Sequence, residues 1–265
     1  MEMNRDKPNA SVAVFDSGIG GLNLLAECAA ALPDVDFYYL ADNFNVPYGN
    51  KRKNEILALV NDKLSLLSGV KLSAAVIACN TATANCIGEL RAQYPFPVIG
   101  IQPAVKPAAE HGGKCLVLAT PSTVESDSFK NLLARVSENR PTDFIIHACE
   151  GLAEYVEQNV FDLDKELPKT FFPQVEVDSV VLGCTHYVFI KEAISKLYNC
   201  EIFDGISGTA ANLCRKLGMT DHFKGFLGIF DHSAENKSNI TFLGGDFEKN
   251  ARIFSKLMRE RVHRS

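Results

Sequence analysis

Residues 74–85 read AAVIACNTATAN, and the same pattern returns at residues 179–187 as SVVLGCTHY. Each is a run of small and β-branched apolar residues that ends in a cysteine, Cys79 or Cys184, followed by threonine or asparagine and then a helical pattern. Unbroken apolar runs of this length suit strands buried on both faces of a parallel sheet. In open α/β sheets ligands sit in the crevice beyond the carboxyl ends of the strands. Both thiols are therefore expected to project into crevices. Neither has a second cysteine at zinc-ligand spacing, so the pair reads as acid and base chemistry supplied from two sides of one pocket.

Working outward, VAVF at residues 12–15 is a further strand, and it opens into DSGIGG and the helical run LNLLAECAAAL. Glycines at such a turn let backbone N–H groups line a small concavity suited to a carboxylate or phosphate. A dinucleotide fingerprint needs glycine where Asn23 stands, so that reading is weak. Asp16 can be a helper in the pocket or a cap on the following helix. DFYYL (36–40) is the next strand, and the loop ADNFNVPYGNK carries Tyr48 and Gly49 to the same sheet edge. From Lys51 an apolar stripe of Ile56, Leu57, Val60, Leu64 and Leu67 marks a helix leading to the Cys79 strand. Asn80 and Thr81 open the helix after it, whose positive end favours a Cys79 thiolate.

Pro95, Pro97 and Pro103 surround the short strand VIGI and read as a crossing between domains, with a helix from about Ala104 to Glu110. CLVLAT (115–120) is a strand, and Thr120 and Thr123 stand at its end and at the start of a helix, as ligand contacts or caps. DFIIHACEG (143–151) leads into a helix with Glu150, Glu154 and Glu157 at three- and four-residue spacing, a pattern that usually marks a solvated face. Cys184 holds in its βα unit the place that Cys79 holds in the earlier one, and His186, two residues on, is a proton partner for it. A further strand, a Gly/Ser turn and a helix follow from residue 200. The chain closes with a polar loop (231–239), strand ITFL, turn GGD and an amphipathic helix.

With 265 residues the chain can form one large domain or two ordinary ones. A net charge of −5 with no basic stripe argues against nucleic acid as a partner. No stretch approaches the roughly 20 apolar residues of a membrane span. MEMNRDKPNAS is neither a signal nor a transit peptide, so the eight cysteines are expected to stay reduced in the cytoplasm. No cysteine or histidine spacing suits zinc, so no metal is expected, and no P-loop is present. A single nucleophilic cysteine with His186 and Asp16 would read as a thiol hydrolase or transferase, but Cys79 would then be surplus. Two thiols on two equivalent βα turns suit removal of a proton from one face of a carbon and its return to the other.

DSGIGGL, the VPYG loop, ACNTA and GCTH, in this order and spacing, with the closing FLGGDFEKNARIF, resemble the cofactor-independent glutamate racemases of bacteria. The likeness covers nearly the whole chain. It implies an α/β fold of two similar three-layer domains with mainly parallel sheets, pseudo-twofold related, with the active site between them. On this resemblance the first domain takes residues 1–99 and 209–265 and the second takes 100–208. It makes Cys79 and Cys184 the acid and base, with Asp16 and His186 their respective helpers. It assigns substrate contacts to Asp16, Ser17, Tyr48, Gly49, Asn80, Thr81, Thr185 and His186, with Thr120 and Thr123 as further candidates. Where the family carries Cys-Pro this chain has Cys149-Glu150, and the family's nearby catalytic glutamate corresponds best to Glu157, with Glu154 the fallback. No cofactor is implied. The implied enzyme is a cytoplasmic homodimer supplying D-glutamate for peptidoglycan. A racemase of aspartate or another small diacid, and a silent amino-acid-binding protein, are the alternatives.

Overall fold

The computed structural model describes residues 10–140, 142–163, 167–219 and 238–262. Most of the polar loop read at 231–239 lies outside the described residues. Two parallel sheets organise the chain. The first joins β1 (Ser11–Asp16), β2 (Asp36–Ala41), β3 (Ala74–Ile77), β4 (Val98–Gly100) and β9 (Ile240–Leu243), in the order β4-β3-β1-β2-β9. The second joins β5 (Lys114–Ala119), β6 (Asp143–Ala148), β7 (Ser179–Gly183) and β8 (Glu201–Asp204), in the order β6-β5-β7-β8. Read from β2 and from β6, both follow the same order, second-first-third-fourth, and β9 extends the first sheet beyond β2. The echo between the two cysteine stretches thus reflects a repeated topology: β3 and β7 are the third strands of matching units.

Each sheet is covered on both faces. Alternate β1 side chains separate the first unit's two cores. Val12 and Val14 pack with α1 (Leu22–Ala31), α9 (Ile206–Leu217) and α10 (Phe247–Val262), while Ala13 and Phe15 pack with α2 (Lys53–Ser65) and α3 (Asn80–Gln93). In the second unit Leu116 and Leu118 face α7 (Leu152–Asn159) and α8 (Lys191–Tyr198), whereas Cys115 and Val117 face α4 (Val105–His111) and α6 (Asp127–Asn139). Period-two side-chain alternation thus feeds two cores from one strand, which is why these strands read as continuous apolar runs. The expected three-layer α/β architecture is the one observed.

The chain leaves the first sheet after β4 and returns at α9, which packs against α1. The two crossings touch: Gly205 lies against Ile101 and Gln102, and a Cβ there would approach Ile101 Cγ1 to 2.8 Å. Two local expectations change. Asp16 does not cap α1, whose N-cap is Gly21 with no side-chain hydrogen bond, because the turn places the Asp16 carboxylate on Gly18 N–H instead. The residues after Cys184 form a 3₁₀ turn, Thr185–Ile190, before α8 begins.

Gly183 closes β7 directly before Cys184, and a Cβ there would lie 2.8 Å from Ala119 Cβ and 3.0 Å from the Leu118 carbonyl oxygen on β5. Because those neighbours are strand backbone and a Cβ, Gly183→Ala is expected to force β5 and β7 apart and to lower stability by about 1–3 kcal/mol. A urea midpoint equal to that of the unmodified protein would show that the strands yield without cost.

Candidate active site

In a doubly wound sheet the ligand crevice lies where the strand order reverses, between the first strand and the third. Here those are β1 and β3 in one unit and β5 and β7 in the other. Asp16 and Cys79 end the first pair, Thr120 and Cys184 the second.

Cys79 is the N-cap of α3, and its buried Sγ accepts the Ala82 N–H at 3.5 Å. Burial and the Asp16 charge push its thiol up to about 12, outweighing the Ala82 N–H and a hydrogen bond from Ser17. The thiolate expected at a helix start is therefore not the resting form, because desolvation exceeds the helix-end effect. The charge of Cys184 also weighs on Cys79, so the two sulfurs are electrostatic neighbours. Cys184, equally buried, has its Sγ 3.9 Å from His186 Nδ1.

His186 Nε2 lies 2.8 Å from Glu157 Oε2. Burial alone would depress the imidazole, but hydrogen bonds to Cys184 and Glu157 outweigh it and hold its pKa well above 6.5. Burial likewise works against the Glu157 carboxylate, yet His186, the Ile19 N–H and Lys249 bring it down to about 2. The result is a buried imidazolium–carboxylate pair in which the ring has an N–H for each neighbour. Of the three glutamates in the helical run, only Glu157 is buried: Glu150 and Glu154 are exposed, and Glu154 accepts from Gln158. The solvated-face reading fails at Glu157 because α7 turns that position toward the DSGIGG loop.

That loop meets the second unit closely. A Cβ at Gly20 would lie 2.8 Å from His186 N and Nδ1, and one at Gly18 would lie 2.9 Å from Glu157 Cδ. Ile19 N–H donates to Glu157 Oε2 at 2.9 Å. The anion that this glycine turn cradles is thus the protein's own carboxylate. Reciprocally, Asp16 of the first unit accepts from Thr185 Oγ1 of the second at 3.0 Å and from Gly18 N at 2.9 Å. Burial raises the Asp16 carboxyl above its ordinary value, against the pull of His186 and these donors.

A third bridge is made of hydroxyls. Thr81 Oγ1 lies 2.9 Å from Thr120 Oγ1 and 3.4 Å from Thr123 Oγ1, and Thr120 donates to Thr123 at 3.0 Å. The buried Asn80 Nδ2 has no hydrogen-bond partner among the described residues. Gly49 is held to the second unit through its carbonyl, which accepts from Ser122 N at 3.0 Å. Tyr48 is buried and donates its hydroxyl to Asp42 at 2.7 Å, so that hydroxyl is already engaged. The structure therefore brings Asp16, Ser17, Cys79, Asn80, Thr81, Thr120, Thr123, Glu157, Cys184, Thr185 and His186 to facing strand ends, with Tyr48 behind them.

Three contributors were not read from the sequence: Asp42, which receives Tyr48, and Asn43 and Lys249, which both reach Glu157. Asn43 sits in the loop that carries Tyr48 and Gly49. Lys249 lies on α10, one of several charged residues of that amphipathic helix. Among the described residues, no group of three or more His, Cys, Asp or Glu side chains is placed to hold a metal ion.

With this geometry in view, the comparisons with known proteins are consistent. The family model for Asp/Glu/hydantoin racemases matches residues 8–213. The chain belongs to this racemase family. A glutamate racemase of Clostridium novyi is 43% identical over 216 residues, covering 78% of this chain and 83% of that one. One from Halothermothrix orenii is 40% identical over 222 residues, covering 80% and 87%. The crystal structure of Escherichia coli glutamate racemase, in complex with L-glutamate and an activator, superposes with a TM-score of 0.74 at 26% identity, covering 97% of this racemase-family chain and 95% of that one.

The Glu157–His186 pair ties stability to pH. A carboxylate lowered from 4.5 to about 2 contributes stability that is complete above about 4.5 and lost as pH falls toward 2. An imidazole raised above 6.5 contributes stability that is complete below 6.5 and lost as pH rises through its folded value. The stability difference between the unmodified protein and Glu157→Gln should therefore be bell-shaped, greatest between about 4.5 and 6.5. Urea titrations across pH check this, and a difference independent of pH would count against the ion pair.

Proposed function

We propose that this chain interconverts L- and D-glutamate without a cofactor, with Cys79 and Cys184 exchanging the α-hydrogen from opposite faces. The observation that carries the reading is the placement of two buried cysteines at equivalent strand ends of two repeated units, each with its own helper. That arrangement supports inversion at a stereocentre better than it supports a one-nucleophile hydrolase. The curated relatives in the racemase family supply glutamate as the substrate.

The α-hydrogen of an amino acid is weakly acidic, so the site must add to what a thiol can do. A thiol held near 12 is a strong base once ionised, and Asp16, whose charge acts on Cys79, is the group to take and return its proton. On the other face His186, charged and locked by Glu157, is the proton partner of Cys184, giving a proton to its sulfur and taking one back. Backbone and side-chain donors at the strand ends, among them the unpartnered Asn80 amide and the Thr81, Thr120, Thr123 and Thr185 hydroxyls, hold the substrate carboxylates. Ser17, Tyr48 and Gly49 complete the wall. Burial of both sulfurs keeps competing water from the carbanion.

Residues 1–99 with 209–265 and residues 100–208 are the two domains of this reading. Sheet membership and the packing of α9 on α1 support the division, with α9 joining the first domain from Ile206. All eight cysteines are free, which suits a reducing compartment such as the cytoplasm. No helix among the described residues is long and apolar enough to cross a membrane. A homodimer and a role in supplying D-glutamate for peptidoglycan rest on the family resemblance.

The test is exchange of the α-hydrogen in deuterated water, followed by NMR on both enantiomers of glutamate and of aspartate. Glutamate is expected to exchange and racemise, with a bell-shaped pH dependence of kcat/KM from one thiol and one thiolate. Cys79→Ser and Cys184→Ser should each lower the rate about 10²–10⁴-fold. Either variant racemising glutamate at the unmodified rate would remove that sulfur from the reaction.

A further inference from the structure

Glu157 is the only carboxylate that His186 meets at hydrogen-bond distance among the described residues, and its position is set from outside its own unit. Lys249, on α10 of the first unit, donates Nζ to the Glu157 carbonyl oxygen at 2.8 Å and to Glu157 Oε1 at 3.2 Å. Asn43 donates to the same Oε1 at 2.7 Å, and Asn43 is gripped in turn by Asp246 N and Asn250 Nδ2, each at 3.1 Å on its Oδ1. The turn before α10 makes room for this: Gly244 and Gly245 adopt positive φ, and a side chain at Gly245 would strike Asn43. Asp246 then caps the helix by accepting Lys249 N–H at 3.0 Å. The start of α10 thus converges on one carboxylate by two routes.

The geometry points to Lys249 as a positioning residue for racemisation, acting through Glu157 and His186 on Cys184. This assignment rests on the glutamate reading above. A cation over the last turn of α7 would be no more than a helix cap if it met only the carbonyl. The second contact changes its meaning. With Oε2 shared between His186 and Ile19 N–H, Oε1 must be held for the carboxylate plane to stay fixed, and Lys249 and Asn43 hold it. The ammonium also offsets part of the cost of keeping the carboxylate ionised while buried. The imidazole is in this way aimed at one sulfur, while Cys79 has separate support from Asp16, Ser17 and α3. Lys249 thus reaches Cys184 through a continuous run of hydrogen bonds by way of Glu157 and His186, whereas the polar contacts on Cys79 come from Ser17 and the start of α3.

The experiment uses the full chain with Lys249→Met and Lys249→Arg. The methionine variant is expected to lower kcat about tenfold with KM within about twofold, as misplacement of a proton-transfer group does, and arginine to restore kcat to within about threefold. The decisive readout is the primary deuterium isotope effect on kcat/KM with each enantiomer of α-deuterated glutamate. Slower transfer at one sulfur makes that effect rise for one enantiomer and fall for the other, a split that general loosening does not produce. Lys249→Gln, which keeps a donor for the carbonyl without the charge, serves where the methionine variant does not fold. An active unmodified protein matched by an equally active Lys249→Met, or isotope effects moving alike for both enantiomers, overturns this assignment alone. An unmodified protein that exchanges no glutamate α-hydrogen overturns the underlying reading and this assignment together.

Discussion

The Glu157 carboxylate is the constraint on which the cleft between the two units depends. It belongs to a helix of the second unit, but three of its ligands, Ile19, Asn43 and Lys249, come from the first. A buried carboxylate must find such partners or be protonated, and a neutral one would no longer hold a charged His186. The requirement to satisfy one group therefore fixes how closely the DSGIGG loop, the Asn43 loop and α10 approach α7. Glycine at positions 18 and 20 follows from that closeness, since a Cβ would occupy the space taken by Glu157 and His186.

Seen this way, the cleft is closed by exchanged ligands. Asp16 of one unit takes a hydroxyl from Thr185 of the other, Glu157 takes a backbone N–H in return, and Thr81 meets Thr120. The Asp16–Thr185 and Thr81–Thr120 bonds join residues at strand ends, and the Ile19–Glu157 bond joins the loop after β1 to α7. They are short, buried and polar, and so they define relative position more sharply than an apolar interface would. The two walls that carry the thiols are held to each other by this set of bonds.

Much of this was legible in the sequence because parallel strands buried on both faces announce themselves. AAVI and SVVLG carry no polar residue facing solvent, and each delivers its cysteine at the strand end where the topology opens a crevice. The glycine loop was legible as an anion site, though not that the anion is internal. What failed to show were contacts between residues far apart in the chain. Glu157 is periodic with two exposed glutamates, and periodicity reports a helix face without reporting what another unit presses against it. Lys249 is 92 positions from its partner and lies on a helix with many charges. The resting state of Cys79 differs from the helix-start expectation for a related reason: a helix start is visible in sequence, whereas the completeness of burial is a property of the assembled core.

The contact of Gly205 with Ile101 and Gln102 has a mechanical consequence. Because the two covalent crossings touch here, the halves are joined by peptide bonds at a single place. Everywhere else the halves are held to each other by non-covalent ties, among them the buried hydroxyl and carboxylate bonds across the cleft.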